Sequence, residues 1–315
     1  MTAHSSVLEL IGNTPIVDVS TLSPNPDVRI LVKLEGQNPG GSVKDRVALS
    51  MVEQAEADGV LAPGQTLLEP SSGNTGIGLA LVCRLKGYEL VVVLPSNVSP
   101  ERRQLLEVWG ARIVESPGSE GSNGAVRLAR AMAAEHPEWC FLYQYANPAN
   151  PRAHYTGTGP EIWRDCPEVT HFVAGLGTSG TLLGVGRYLK EQNPAVEVWA
   201  VEPPAGEMVD GLRSLDDGYI PPIFENLGGA ELLDRKTVVK PLDSIEWTRR
   251  LTEVGIFAGI STGAALAGAV RCASSIEGGV VVVVSADGGW KYLSTGAWTD
   301  DLDVVEQRAR STIYF

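Results

Sequence analysis

The sequence has few of the residues that mark disulfide-rich, metal-binding or nucleic-acid-binding proteins. Only four of its 315 residues are cysteine, and no two of them form a CxxC pair, so we expect neither a disulfide framework nor a metal site. Acidic residues outnumber basic ones by 38 to 25. The resulting net charge of −13 argues against a nucleic-acid-binding surface, and we expect no nucleic-acid partner.

Long apolar stretches are also missing. The apolar run at residues 280–284 is too short to cross a membrane and is typical of a buried strand. Residues 1–10 show no basic region followed by a long apolar run, so we expect no signal peptide and no membrane contact. Because widely spaced cysteines suit a reducing compartment, we predict a cytoplasmic protein.

The sequence does contain a regular alternation of strand-like and helix-like segments. Hydrophobic residues make up 43% of the chain, which is ample for a large core. The strand-like segments are rich in Val and Leu, which is typical of parallel sheets covered by helices on both faces. Strands are predicted at 66–69, 90–94, 111–115, 141–143, 171–174, 197–201 and 280–284. Helices are predicted at 75–86, 100–109, 122–135, 152–164, 181–191, 243–254 and 262–274.

Lys44 lies in the segment 38–46, where a glycine-rich turn leads into an apparent helix. Ser42 is a plausible N-cap, and Asp45 completes a near capping box. A lysine in the first turn of a helix is electrostatically misplaced, which favours a lowered pKa. Neutral lysine attacks carbonyl groups whereas protonated lysine does not. From this segment alone, a solvated surface lysine remains the alternative.

A second glycine-rich turn, at residues 175–181, follows a predicted strand and opens a predicted helix. Its G-x-G-x-x-G pattern and the position of Glu202 resemble a dinucleotide site, so the turn alone leaves an NAD-binding oxidoreductase open. However, hydroxyls crowd this turn at Thr178, Ser179 and Thr181. Side-chain donors of this kind favour a terminal phosphate dianion over a pyrophosphate. A tight turn without any ligand is the remaining interpretation.

Three further segments lie next to predicted strands or helices. Residues 71–76 could hold a carboxylate at a helix N-terminus or form a capped turn without a ligand. Residues 287–292 follow a strand end, where ligands collect in open α/β sheets, and a simple turn is equally compatible.

Residues 259–263 match the G-x-S-x-G nucleophile elbow, which requires a histidine after Ser261. All four histidines precede Ser261, so the hydrolase order fails.

Together these segments resemble the pyridoxal-phosphate-dependent cysteine synthases of fold type II. The resemblance covers nearly the whole chain and depends on the order and spacing of residues 12–15, 38–46, 71–76, 144–150, 175–181 and 259–263. Within the family, the chain is most similar to the actinobacterial cysteine synthase B branch, which uses O-phosphoserine. The closer match lies at residues 157–161, 255–259 and 289–296.

The resemblance implies an α/β fold of two lobes, each a mostly parallel twisted sheet covered by helices. The smaller lobe, expected at residues 45–145 with strand segments from 14–35, would be mobile and close over the substrate. The larger lobe, expected at 146–300 with 1–13 and 36–44, would hold the cofactor phosphate. Residues 301–315 would form a C-terminal tail. A homodimer is also implied.

The resemblance further assigns the site residues. Lys44 would be the catalytic residue and would hold pyridoxal 5'-phosphate as a Schiff base. Asn74 would meet the ring hydroxyl of the cofactor, and Ser261 its pyridine nitrogen. The residues expected to cup the phosphate are Gly177, Thr178, Ser179, Gly180 and Thr181. The residues expected to bind the substrate carboxylate are Ser71, Ser72, Asn74, Thr75 and Gln144.

The implied reaction is cysteine synthesis by β-replacement on O-phospho-L-serine, with O-acetyl-L-serine as a second substrate, through an α-aminoacrylate. Arg213 matches the arginine that the phosphoserine-using branch presents to the substrate phosphate, and a solvated loop arginine is the alternative. Sulfur would come from sulfide or from a small ubiquitin-like carrier protein ending in a thiocarboxylate. The rival functions are a serine/threonine dehydratase, an NAD-binding oxidoreductase and a catalytically silent binding protein. The segment 311–315 could lie over the cleft and compete with a carrier, or be a frayed end.

Overall fold

The computed structural model describes residues 3–71 and 73–311, which form two sheets with helices on their faces. The strands are β1 Ile16–Asp18, β2 Val28–Leu34, β3 Thr66–Pro70, β4 Glu89–Pro95, β5 Arg112–Ser116, β6 Cys140–Phe141, β7 His171–Gly175, β8 Glu197–Glu202, β9 Arg235–Val238 and β10 Gly279–Ser285. The predicted α/β class with two mostly parallel sheets is confirmed.

The helices lie between the strands, as the alternation in the sequence predicts. They are α1 Lys44–Ala57, α2 Asn74–Lys86, α3 Pro100–Val108, α4 Gly121–Glu135, α5 Ala149–Ala153, α6 Gly159–Asp165, α7 Gly180–Gln192, α8 Pro222–Asn226, α9 Gly229–Leu232, α10 Pro241–Glu253, α11 Ile260–Ser275 and α12 Leu302–Ser311. None of the helices in the described ranges is both long enough and apolar enough to cross a bilayer.

The larger sheet has the strand order β1-β2-β10-β7-β8-β9, and only the edge strand β1 runs antiparallel to its neighbour. The prediction that the strand segments within 14–35 belong to the smaller lobe is therefore wrong. The reason is that β2 pairs along its whole length with the apolar strand β10. Its buried residues, among them Ile30 and Val32, belong to the core of the larger lobe.

The smaller sheet has the order β5-β4-β3-β6, with all strands parallel. Residues 141–143 were predicted to be a strand, yet β6 ends at Phe141. The ladder stops because the buried Glu69 carboxyl group accepts hydrogen bonds from the backbone N–H groups of Tyr143 and Gln144, at 2.7 and 3.1 Å. Tyr143 also has a φ of 50°, which leaves the strand conformation.

The start of α1 differs from the predicted capping box. The helix begins at Lys44, and the Ser42 hydroxyl accepts a hydrogen bond from the Lys44 backbone N–H at 3.2 Å. Asp45 does not reach back to Ser42, because its carboxylate accepts from the backbone N–H of Gly40 instead. The glycine-rich turn is therefore bound to the first turn of the helix that carries Lys44.

The predicted helix 152–164 is interrupted. In the structure this range contains helix α5, a wide π turn at His154–Thr158 and helix α6. A π turn of this kind is frequent near functional sites. Here it buries His154 beside the start of α7, where the ring Nε2 lies 3.3 Å from Thr181 Oγ1.

Candidate active site

A cavity lies between the two sheets and joins most of the residues that the sequence singled out. It adjoins a smaller cavity at the start of α7, since both are lined by Lys44, Gly177, Thr178 and Ser261. The larger cavity is also lined by Ser71, Asn74, Thr75, Gln144 and Arg213, and the smaller one by Ser179 and Thr181. Ser72, which was also predicted to bind substrate, lies outside the described residues. Strand ends of both sheets meet here, as expected for ligand sites in open α/β sheets.

Lys44 occupies the first position of α1 and lines both cavities. The side chain is half-buried. Loss of water around the amine lowers its pKa to about 8, while the charges of Asp287 and Glu35 oppose the shift. Among the described residues, no group accepts a hydrogen bond from Lys44 Nζ. The amine is therefore available to an incoming group.

The turn that precedes α7 forms a cup that requires glycine at two positions. A Cβ atom at Gly177 would lie 2.6 Å from the carbonyl oxygen of Gly211. A Cβ atom at Gly180 would lie 2.0 Å from Asn150 Oδ1. Ser179 has a φ of 70°, a conformation that L-residues seldom adopt, and it caps a helix of 13 residues. The free N–H groups of this helix start and its dipole favour an anion in the cup.

The hydroxyl groups of the cup are oriented by buried neighbours. Asn150 Nδ2 donates to Thr178 Oγ1 at 2.9 Å, which leaves the Thr178 proton for an acceptor inside the cup. Burial keeps the pKa of His154 well below its usual value, so the ring next to Thr181 is neutral. The cup thus offers hydroxyl donors beside backbone donors, which is the chemistry that a terminal phosphate requires.

On the smaller-lobe side, the start of α2 forms the opposite wall of the cavity. The Ser71 hydroxyl accepts from the backbone N–H of Gly76 at 3.0 Å and therefore caps the helix. The Thr75 hydroxyl donates to Gln144 Oε1 at 2.7 Å. Burial raises the pKa of Glu69, which anchors the backbone of Gln144, to about 8 although its backbone hydrogen bonds oppose the shift. Together the first turn of α2 and the segment after β6 present polar groups to one side of the cavity.

Asn74 belongs to a buried network that the sequence did not predict. Its Nδ2 donates to Asp287 Oδ2 at 2.7 Å, and its Oδ1 accepts from Lys291 Nζ at 2.6 Å. Lys291 also donates to the carbonyl oxygens of Gly40 and Gly41, at 3.0 and 3.2 Å. This lysine therefore ties the turn before Lys44 to the first residue of α2.

A second group of residues that the sequence did not predict lines the cavity between the lobes. Arg102, on α3 of the smaller lobe, forms an ion pair with Asp210 of the irregular segment 203–221. Both side chains are almost completely buried. The Arg102 guanidinium also lies 4.8 Å from the centre of the Tyr292 ring, and the Tyr292 hydroxyl donates to Asp287. These contacts connect the smaller lobe to the same strand end that carries Asp287.

Arg213 lines the cavity on the side of the larger lobe and meets aromatic rather than acidic side chains. Its Nη2 donates to the Tyr145 hydroxyl at 3.2 Å. The guanidinium carbon lies 5.0 Å from the ring centres of both Tyr145 and Tyr219. Within the described part of the chain, no carboxylate pairs with Arg213, so its positive charge is left for a ligand.

The dinucleotide interpretation of the turn at 175–181 is not supported by Glu202. This side chain is completely buried, accepts from Lys236 Nζ at 2.7 Å and from the backbone N–H of Leu215 at 3.0 Å, and lines neither cavity. A ribose-binding acid would have to face the ligand. The four cysteines are buried and free, and the described residues contain no group of side chains that could hold a metal ion.

Comparisons with known proteins agree with this site. A model of the pyridoxal-phosphate dependent enzyme family matches residues 7–287. Cysteine synthase B of Salmonella typhimurium is 44% identical over 295 residues, covering 93% of this chain and 96% of that protein. The structure of a cysteine synthase from Entamoeba histolytica has a TM-score of 0.88 at 33% identity, covering 98% of this chain and 96% of that one. The structure of an O-acetylserine dependent cystathionine β-synthase from Helicobacter pylori has the same TM-score at 34% identity, covering 95% of this chain and 100% of that one.

The cavity has the donors that pyridoxal 5'-phosphate requires. The cup at residues 177–181 suits the phosphate group, and Lys44 presents an amine of lowered pKa to the aldehyde. Ser261, in the first turn of α11, places a neutral hydroxyl on the wall that both cavities share. Because the site suits this cofactor and the family model spans most of the sequence, the chain belongs to the pyridoxal-phosphate dependent enzyme family, with fold type II.

Proposed function

We propose that this protein is a cysteine synthase that replaces the phosphate group of O-phospho-L-serine with sulfur. The reaction class is supported by the similarity to proteins named cysteine synthase. The preference for a phosphorylated serine depends on one observation. Arg213 brings a positive charge to the cavity wall and has tyrosines, but no carboxylate of the described chain, as its partners.

Lys44 has two tasks in this reaction. Bound pyridoxal 5'-phosphate withdraws electrons from the α-carbon of an amino acid attached to it. Lys44 would hold the aldehyde of the cofactor through its amine, and the amino group of the substrate would release it. The Lys44 amine would then accept the α-proton as general base, since a pKa of about 8 leaves an appreciable neutral fraction near neutral pH.

The surrounding side chains orient the substrate. The N-terminus of α2, with Thr75 and Gln144, offers polar groups to the substrate carboxylate. Ser261 would face the pyridine nitrogen with a neutral hydroxyl, which favours departure of the β-substituent over a long-lived carbanion. Arg213 would receive the departing phosphate through the two parallel hydrogen bonds that a guanidinium can form.

The remaining expectations are part of the same proposal. The smaller lobe would close over the substrate, two copies of the chain would form a homodimer, and the enzyme would work in the cytoplasm. Sulfur would arrive as sulfide or from a thiocarboxylated carrier protein. O-acetyl-L-serine would be a second substrate. Of the tail segment 311–315, for which competition with a carrier and a frayed end were the two interpretations, residues 312–315 lie outside the described residues.

The lowered pKa of Lys44 predicts how cofactor uptake depends on pH. The neutral fraction of the amine increases as the pH rises through the pKa of about 8, whereas an ordinary lysine requires a pH near 10.5. We therefore expect the initial rate of cofactor uptake by the apoprotein to rise with a midpoint near pH 8. The measurement is the growth of near-visible absorbance after mixing with pyridoxal 5'-phosphate. A midpoint near pH 10.5 would contradict the prediction.

The substrate preference is tested by Arg213→Ala. We expect kcat/KM for O-phosphoserine to fall by about 10- to 100-fold, because a hydrogen bond to a charged group contributes about 1.5–3 kcal/mol. With O-acetylserine, which has no phosphate, kcat/KM should stay within about threefold. The assay measures cysteine formed from each serine with sulfide as donor, and keto acid release is followed in parallel.

A matched control is Arg250→Ala. Arg250 also stacks on an aromatic ring, that of Trp247 at 4.6 Å, but it lines neither cavity. This variant should turn over both substrates like the unaltered protein. An equal loss on both substrates in Arg213→Ala would exclude Arg213 as the phosphate ligand, and keto acid as the main product would exclude cysteine synthesis.

A further inference from the structure

Arg213 is held by a group of three tyrosines, which we call the tyrosine clamp: Tyr143, Tyr145 and Tyr219. The guanidinium carbon is equally distant, at 5.0 Å, from the ring centres of Tyr145 and Tyr219. These two rings are nearly perpendicular, at 88°, with their centres 5.9 Å apart. Arg213 therefore contacts two aromatic surfaces of different orientation, which restricts both the position and the tilt of its guanidinium plane.

The clamp is itself fixed by polar contacts. The Tyr219 hydroxyl lies 2.9 Å from that of Tyr143, so the Tyr219 ring cannot turn away without losing this hydrogen bond. The backbone N–H of Ile223 donates to the carbonyl oxygen of Tyr145 at 3.1 Å, which joins the two segments that carry the rings. The backbone N–H of Arg213 donates to the carbonyl oxygen of Leu176 at 2.7 Å. The arginine is thus anchored at its backbone and along its side chain.

Aromatic partners have a specific chemical consequence for this arginine. A carboxylate would orient the guanidinium equally well, but it would also neutralise its charge and occupy its donors. Aromatic faces hold the cation through their quadrupole and leave most of its N–H donors free. The only side-chain hydrogen bond of Arg213 within the described ranges goes to the Tyr145 hydroxyl, at 3.2 Å. This arrangement preserves a full positive charge in a protein whose net charge is −13.

We propose that Tyr219 is a specificity-determining residue, which acts by holding the Arg213 guanidinium in the orientation that receives the phosphate group of the substrate. Tyr219 is a positioning residue, since it lines a neighbouring cavity that Arg213 also lines and does not line the cavity around Lys44. The inference rests on the proposed preference for O-phosphoserine. A long arginine side chain loses much rotational freedom when it binds an anion, and a clamp that orders it beforehand reduces this loss.

The test compares four variants: Tyr219→Leu, Tyr219→Phe, Arg213→Ala and the double variant Tyr219→Leu/Arg213→Ala. Tyr219→Leu should lower kcat/KM for O-phosphoserine by about tenfold, mainly through KM, which is the scale of one partly buried cation–π contact. With O-acetylserine the change should remain within about twofold. Tyr219→Phe keeps the ring and should retain most of the preference. In the double variant, kcat/KM for O-phosphoserine should fall no further than in Arg213→Ala alone, because Tyr219 acts through Arg213.

Inorganic phosphate serves as a second probe, used as a competitive inhibitor of O-acetylserine turnover. Tyr219→Leu should raise its inhibition constant about as much as it raises KM for O-phosphoserine. If Tyr219→Leu does not fold, Tyr219→Gln replaces it, since the position is partly exposed.

The outcomes separate this inference from the proposed function. If Arg213→Ala affects both substrates equally, the proposed preference is wrong and the clamp loses its role. If Arg213→Ala lowers turnover of O-phosphoserine selectively but Tyr219→Leu does not, the proposed substrate preference is supported and the proposed role of Tyr219 is wrong. An additive loss in the double variant, or an equal loss on both substrates in Tyr219→Leu, would assign Tyr219 a merely structural role and overturn the inference.

Discussion

Replacing Lys44 by alanine is expected to lower kcat/KM by at least about 10³-fold, because the change removes both the covalent attachment and the general base. The side chain lies at the first position of α1, faces the cavity, and carries an amine whose pKa is lowered to about 8 chiefly by burial. The neighbouring amine of Lys291 cannot take its place without moving, since Lys291 Nζ already donates to Asn74 and to two backbone carbonyl oxygens.

The measurement combines turnover with chemical labelling. Borohydride reduction of the protein bound to pyridoxal 5'-phosphate should fix the cofactor to the peptide that contains Lys44, as seen by mass spectrometry. Lys44→Ala should show no label. Lys291→Met is the matched control, because it removes the neighbouring buried amine and should leave the label on Lys44. A labelled Lys44→Ala protein, or a label on Lys291 in the unaltered protein, would contradict the assignment.

The largest effect on stability is expected from Arg46→Met, because Arg46 holds two buried carboxylates together. Its Nε donates to Glu35 Oε2 and its Nη1 to Glu161 Oε1, both at 2.7 Å. Lys33 Nζ lies 2.8 Å from Glu161 Oε2. Burial raises the pKa of Glu161, but the hydrogen bonds and charge of Arg46 outweigh it and lower the pKa to about 2, so this carboxyl group is ionised at neutral pH.

Methionine has a similar length but no charge, and it would leave two carboxylates with a single buried ammonium group. We expect the free energy of unfolding to fall by about 3–5 kcal/mol, as is typical when one partner of a buried ion pair is removed. Urea denaturation followed by circular dichroism measures this change.

The control for the buried cluster is Arg164→Met. Arg164 pairs with Asp165 at 2.7 Å, but its side chain is 57% exposed. An exposed pair of this kind contributes about 0–1 kcal/mol. If the two variants lost equal stability, the buried cluster would have no special role in joining the strand end of β2, helix α1 and helix α6.

Much of the fold follows from local patterns in the sequence. The run of valines in β10 predicts a strand buried on both faces, and the glycine at position 87, with a φ of 80°, ends α2 where the apolar pattern ends. The least accurate predictions are those in which a side chain binds backbone groups that the local pattern does not indicate. Glu69 ends β6 from another strand, and Asp45 binds Gly40 rather than the expected cap.

The candidate site was predictable only in part, for the same reason. Lys44, the turn at 177–181 and Ser261 lie in glycine-rich segments whose local sequence already indicates an anion site or an unusual helix start. No such signal marks Lys291, Arg102 or Tyr219. The segment 287–292, which follows a predicted strand, was the nearest indication of Lys291.

By itself, the sequence determined most of the alternation of strands and helices from residue 66 onward, the hydroxyl-rich turn for a phosphate group and the lysine next to a helix start. These features depend on residues within a few positions of one another, because hydrophobic periodicity and the backbone freedom of glycine determine local conformation. Only the tertiary structure decided which lobe receives β2, which groups surround the Lys44 amine and which side chains hold Arg213. Those outcomes depend on contacts between residues far apart in the chain, because burial, charge pairing and aromatic contact act through space.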